Sequence, residues 1–184
     1  MALNISDKFT SDIQGKDTFL VPVIAIGNVK PSTGGNVNWW EGAGSPKLYS
    51  TSYLNLEHAK QFSSSSVTTG RSDAKPLLLD VPHLRESIDI QNRKYKIPSI
   101  SIKLSNLPFN GQRFSEFWDG LSGYECRIFW ISQSARLLLP LDYIQDGDDN
   151  GGHALQIYYG KIVEYTYDEK QVTLKIEEKS GNFS

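Results

Sequence analysis

Four groups of residues in this sequence are of a type and spacing that could do chemistry. Asp146, Asp148, Asn150 and Gly151, in the run DGDDNGG, reproduce the opening D-x-D-x-N-G of a calcium loop. In such a loop, side-chain oxygens at alternate positions surround the ion. The twelfth position should supply a bidentate carboxylate, but here it is Ile157, inside a predicted strand. An acidic, glycine-rich β-turn accounts for the same residues, and whether Asp146–Asn150 binds a cation stays open at this point. His58, His83 and His153 are scattered, with no second histidine or cysteine at ligand spacing, so a zinc site would need partners from distant segments. Cys126, the sole cysteine, falls on an inward-looking strand position with no base nearby in sequence, and reads as a buried structural thiol. Trp39 and Trp40 are adjacent in a Gly/Asn/Ser-rich stretch and could form an aromatic platform for a sugar or a protein partner. Neighbours in a strand face opposite sides, so one tryptophan is expected to anchor the core and the other to meet a partner.

Other catalytic signatures are missing. Gly34, Gly35, Gly42 and Gly44 fit neither the GxGxxG nor the GxxxxGK[ST] spacing, and no G-x-S-x-G nucleophile elbow occurs. No catalytic residue, metal site or cofactor is assigned, and the chain is not expected to be an enzyme.

Composition points the same way. The 184 residues are 39% hydrophobic, 22% charged and 11% aromatic, with a net charge of −2. That is too apolar for a disordered chain, and a single cysteine excludes an intrachain disulfide framework. A near-neutral balance gives no sign of nucleic-acid or anionic-membrane binding. Residues 1–18 carry no apolar signal-peptide core. The longest apolar stretch, Phe19 to Gly27, is broken by Pro22 and falls well short of the roughly 20 residues of a membrane-spanning helix.

The elements that must position these residues are mostly strands. Thr18 to Asn28 is rich in Val and Ile and predicts a strand. Residues 30–74 read as a loop-rich insertion with short strands at Lys47–Ser52 and Tyr53–Leu56. From Lys75 onward the pattern sharpens. Leu77 to Leu79 predicts a short strand; Arg85 to Ile90 alternates; Ile100, Ile102 and Leu104 alternate with polar residues. Pro98 marks a bulge or edge. Phe114, Phe117, Trp118 and Leu121 follow helical spacing, with Ser115 as N-cap and Gly120 and Gly123 as stops, which predicts one short helix around 114–121. Tyr124 to Ser132 carries large apolar groups on both parities and should lie between two layers. Ala154 to Tyr167 predicts a long strand bent at Gly160. Asp168 to Lys170 turns the chain into a second strand, with Val172, Leu174 and Ile176 alternating. The fold class is mainly β, an antiparallel barrel or sandwich with one short helix and long loops, formed by residues 1–184 as a single domain.

Three runs carry a resemblance: RESIDIQNRKYKIPSISIKLSNLPFNGQRFSEF, LSGYECRIFWISQS and IYYGKIVEYTYDEKQVTLKIEEKS. Their succession of strand, helix, strand and closing hairpin resembles the β-barrel modules of tail hub proteins of tailed bacteriophages. The closing pattern is Tyr159, Gly160, Ile162, Asp168, Val172, Leu174, Ile176 and Glu177, and the resemblance covers 85–179. It implies a tail-tube-like barrel and a structural role as a hub or baseplate ring subunit joining tail tube to tail tip. It also implies a location in the virion after assembly in the bacterial cytoplasm. The implied partners are further copies of the chain in a ring, trimeric in preference to hexameric, and neighbouring tube and tip proteins, with no membrane and no specific nucleic acid. On that reading Trp39, Trp40, Tyr49, Tyr53 and Tyr158 are the candidate interface residues. A distal tail ring, tube adaptor or baseplate wedge is the alternative within this class. Outside it, the alternative is a carbohydrate-binding β-sandwich using the tryptophans and Asp146 to Asn150.

Overall fold

The computed structural model describes residues 5–16, 18–40, 45–63, 66–81, 99–140 and 152–179. The calcium-like loop at Asp146 to Gly151, together with Gly42, Gly44, His83, the alternating run Arg85 to Ile90 and Pro98, lies outside the described residues. In chain order the elements are α1 (Asp7–Gln14), β1 (Val21–Ile26), β2 (Val29–Pro31), a single 3-10 turn (Thr33–Gly35), β3 (Val37–Trp39) and β4 (Lys47–Ser50). Then come β5 (Leu54–Phe62), β6 (Val67–Lys75), β7 (Leu78–Asp80), β8 (Ser99–Ser105), α2 (Phe114–Phe117), β9 (Glu125–Ile131), β10 (Leu155–Tyr167) and β11 (Gln171–Glu178).

The protein is mainly β. Its described strands join in one sheet of order β2-β3-β5-β6-β4-β1-β9-β10-β11-β8-β7, which does not close into a barrel. All pairings are antiparallel except β4 with β6, which is parallel through Leu48↔Ala74 and Tyr49↔Lys75.

Strand alternation explains how one sheet makes two cores. In β1, Val21, Val23 and Ala25 face one way and Ile24 and Ile26 the other, and all five are buried. In β9, Cys126 and Ile128 join the Ile24 side, while Phe129 and Ile131 join the Val23 side. The first core is completed by Leu78, Ile102, Leu104, Ile162, Leu174 and Ile176 and by Phe114, Trp118 and Leu121 around α2. The second is completed by Trp39, Leu56, Ala59, Phe62, Ala74 and Leu138. The two ends of the sheet therefore curl over opposite faces of the central strands. This is the two-layer position expected of β9, whose only half-buried residue is Trp130.

Several elements differ from the sequence reading. Residues 30–75 hold two nine-residue strands, β5 and β6, where a loop-rich insertion with only short strands at Lys47–Ser52 and Tyr53–Leu56 was expected. The reason is that β6 buries only Ala74; its pairing runs through the backbone, and its side chains carry no apolar alternation. The helix spans Phe114–Phe117 rather than 114–121. Its N-cap is Arg113, whose N–H donates to Glu116 Oε2 at 2.8 Å, while Ser115 lies inside it. Trp118 and Leu121 are buried all the same. In β10 the phase is broken by register shifts between Gln156 and Tyr158 against β9 and between Ile162 and Glu164 against β11. Gly160 answers a different need: a Cβ there would run into the Glu177 carbonyl oxygen of β11. α1 carried too little periodicity to be expected. Ser6 caps it by accepting from the Phe9 N–H at 3.2 Å, and Phe9 is its one buried residue.

Candidate interaction site

The adjacent tryptophans part at the end of β3. Trp39 is 1% exposed in the second core, packed edge-on to His58 and tilted on Phe129, with its Nε1–H donating to Gly27 O at 3.3 Å. Trp40 turns to the other face with φ 63°, a left-handed conformation that costs about 1 kcal/mol or more for a residue with a side chain. Aromatic packing offsets that strain. Trp40 stacks on Tyr124 (centroids 5.5 Å apart, planes at 19°) and meets Trp118 edge-on at 5.7 Å. Trp118 in turn contacts Phe117 edge-on at 5.0 Å, and its Nε1–H donates to Tyr49 Oη at 2.8 Å. The result is a belt, Trp40–Tyr124–Trp118–Phe117, along the outside of the first core, with Trp40, Tyr124 and Phe117 half-buried.

Two lysines converge on this belt. Lys47 Nζ lies 5.6 Å and Lys75 Nζ 5.1 Å from the Phe117 ring centre. They meet because β4 and β6 run parallel, setting Lys75 beside Tyr49, two residues on from Lys47 and on the same face of β4. Both lysines are half-buried, and burial together with the Lys47 charge holds Lys75 below the usual lysine range. Among the described residues no carboxylate pairs with either.

The charges at the seam of the two cores are treated differently. Arg127 is fully buried; its Nη1 lies 3.2 Å from Glu125 Oε2, and its guanidinium carbon lies 4.0 Å from the Tyr159 ring centre and 6.0 Å from that of Trp39. Glu125 also accepts from the Val29 N–H at 3.0 Å and pairs with Lys179 Nζ at 3.2 Å. Burial raises the Glu125 pKa, but Arg127, the Val29 N–H and Lys179 outweigh it, so the net shift is downward. Cys126, in the same strand, has its thiol pushed up to about 12 by burial. It is a packed thiol.

Of the five sequence-predicted interface residues, three are used inside the chain. Trp39 and Tyr49 are buried, and Tyr158 is buried with its hydroxyl donating to Ile176 O at 3.2 Å. Burial raises the hydroxyl pKa of both tyrosines. Trp40 is half-buried, and Tyr53 is exposed beside Asp73, whose hydrogen bond raises the Tyr53 pKa. Sequence reasoning missed Phe117, Tyr124, Lys47 and Lys75. Tyr124 and Phe117 carried an aromatic signal, but nothing in the spacing of Lys47 and Lys75 shows that a parallel pair joins them. A separate open groove of about 640 Å³ lies between β5–β6 and the segments around Lys8, Ser134 and Arg136. Its Arg71 is held by Asn55 Oδ1 at 2.6 Å.

Among the described residues no three His, Cys, Asp or Glu side chains are grouped to hold a metal ion, and no helix is long and apolar enough to cross a membrane. Compared with known protein families and with curated proteins, the sequence matches none.

Proposed function

We propose that the chain is a structural, non-catalytic subunit of a bacteriophage tail, a hub or baseplate ring component linking tail tube to tail tip. The observation that carries this reading, beside the sequence resemblance, is strand edge left open within the sheet. β6 pairs with β4 only at Ala74 and Lys75, so 67–73 has no described strand on its outer side. β10 pairs with β9 only as far as Lys161, so 163–167 is open too. Unpaired edges of this length template pairing with another chain. The two ends of the sheet are blunter, since β2 and β7 have three residues each and β2 carries Lys30 and Pro31. The β10 edge is less guarded: Glu164 is the one charge in 163–167, and Val163 is 40% and Tyr167 59% exposed. A ring built on these edges needs heterologous contacts, which close when the rotation between neighbours permits.

On this reading the ring is a trimer in preference to a hexamer, its neighbours are tube and tip proteins, and its place is the virion. Light scattering across micromolar concentrations, followed by electron microscopy of the assembled fraction, tests it. A discrete ring is expected. A strict monomer at all concentrations would overturn the proposal.

A further inference from the structure

We infer that Lys47 and Lys75 form a receptor for one oxyanion group, phosphate or carboxylate in class, beside the Phe117 ring. The inference does not depend on the tail reading. The backbone brings the two together: β4 and β6 are parallel neighbours, and Tyr49↔Lys75 pairing puts both side chains on the face where α2 lies. Both ammonium groups approach the same ring, so the nitrogens lie within about 11 Å of each other, a gap that two flexible four-carbon stems can close around one anion.

Charge treatment elsewhere in the chain makes the pair stand out. Arg127, Glu125 and Lys179 form a mutually compensated group. Lys47 and Lys75 instead repel each other in a half-buried setting, with only a ring quadrupole as favourable partner and no carboxylate among the described residues. Two cations held together at that cost are relieved by an anion that accepts from both at once. Trp118 and Trp40 stand next to the site, so its occupancy has an optical reporter.

The two sources of such a group are a free phosphate and a carboxylate on a polypeptide, and the test separates them. The full chain is titrated with inorganic phosphate and, separately, with a triglutamate peptide, at ionic strength held constant with potassium chloride. Tryptophan emission is read throughout. A saturable change is expected with at least one probe, and the probe that binds more tightly names the source. Lys47→Gln and Lys75→Gln should each weaken binding roughly tenfold, the scale of one charge-assisted hydrogen bond. Lys103→Gln, on exposed β8 surface, should leave binding unchanged. Lys75→Arg keeps the charge and should retain binding, which holds the test open if a glutamine variant fails to fold. Absence of a saturable change with both probes would overturn the inference. So would binding as tight as that of the unsubstituted chain in folded Lys47→Gln and Lys75→Gln variants.

Discussion

The two ends of the sheet reach burial by different means. In β8 and β11 every second residue is buried: Ile100, Ile102 and Leu104 face Val172, Leu174 and Ile176 across the pairing. That end supplies a continuous apolar layer of its own, onto which β9 and the α2 region set Ile128, Phe114 and Trp118. At the other end β6 contributes only Ala74, and the core depends on Trp39 and Phe62 and on what other segments lay against them: Phe129 and Ile131 from β9, and Leu138, which bridges to His58. Polar contacts then tie β5 to β6, with His58 Nε2 and Ser72 Oγ 3.0 Å apart and Asn55 Nδ2 donating to Asp73 Oδ1 at 2.8 Å. The first end is an apolar layer and the second a polar ribbon clamped at its base.

The largest effect is expected where the two ends share a support. Arg127→Ala would leave Glu125 buried without its main partner and strip a slab from between Tyr159 and Trp39. A loss of about 4 kcal/mol is expected by urea unfolding. Combining Arg127→Met with Glu125→Leu should recover most of it, since no buried charge is then left uncompensated. If Arg127→Ala cost less than about 1 kcal/mol, the seam would not be a shared support at all.

Cavities separate the two ends more finely. Leu174→Ala should cost about 3 kcal/mol and raise hydrogen exchange across β8 and β11 together, because those strands share one apolar layer. Leu56→Ala should cost about 2 kcal/mol and loosen β5 and β6 ahead of the rest. Uniform loss of protection in both variants would mean that the sheet opens as one unit and that the contrast is only compositional. Gly160→Ala tests the joint between β10 and β11, where a methyl group meets the Glu177 carbonyl. About 2 kcal/mol of destabilisation is expected from the forced shift, with faster exchange at Glu177 and its neighbours.

The same contrast decides what could be read without a structure. Ile100, Ile102 and Leu104 in β8 and Val172, Leu174 and Ile176 in β11 write their burial into a two-residue period, so these two strands were legible. β6 was not, because Thr68, Thr69, Arg71 and Asp73 are exposed and leave no apolar partner to alternate with. The Gln156/Tyr158 and Ile162/Glu164 shifts hide in β10 because each moves the burial phase by one residue, so Tyr158 is buried although its parity predicts otherwise. Trp39 and Trp40 could be assigned to opposite faces from strand geometry alone. That their partners would be His58 on one side and Tyr124 on the other depends on contacts distant in sequence, which periodicity does not encode. Lys47 and Lys75 meet only through the sheet's single parallel pairing among its described strands, the least local feature of the fold.

The smallest expected effect is a pH dependence confined to the polar ribbon. His58 is buried with Nδ1 3.1 Å from Ala59 O and Nε2 3.0 Å from Ser72 Oγ. A carbonyl can only accept, so Nδ1 carries the proton and Nε2 accepts from the serine hydroxyl. Room for the ring comes from Gly70, where a Cβ would sit 3.2 Å from His58 Cε1. Burial depresses the His58 pKa below the ordinary histidine value of about 6.5, outweighing the Ala59 carbonyl that favours the charged form. Below pH 6.5 the unfolded chain takes up a proton at this position and the folded chain does not. The His58 contribution is therefore complete above about pH 6.5 and is lost as the pH falls toward the folded value, at up to roughly 1.4 kcal/mol per pH unit. Glu125 does not interfere, because its shift is also downward and its contribution is lost only below the carboxylate range of about 4.3. Comparing urea unfolding at pH 7.5 and 5.5, His58→Gln should shrink the wild-type difference by on the order of 1 kcal/mol. Exchange in wild-type β5 and β6, taken relative to the intrinsic rate at each pH, should quicken at pH 5.5 while β8 and β11 stay protected. An unchanged pH slope in His58→Gln would place the proton uptake elsewhere, and equal quickening at both ends would remove the ribbon's separate response to acid.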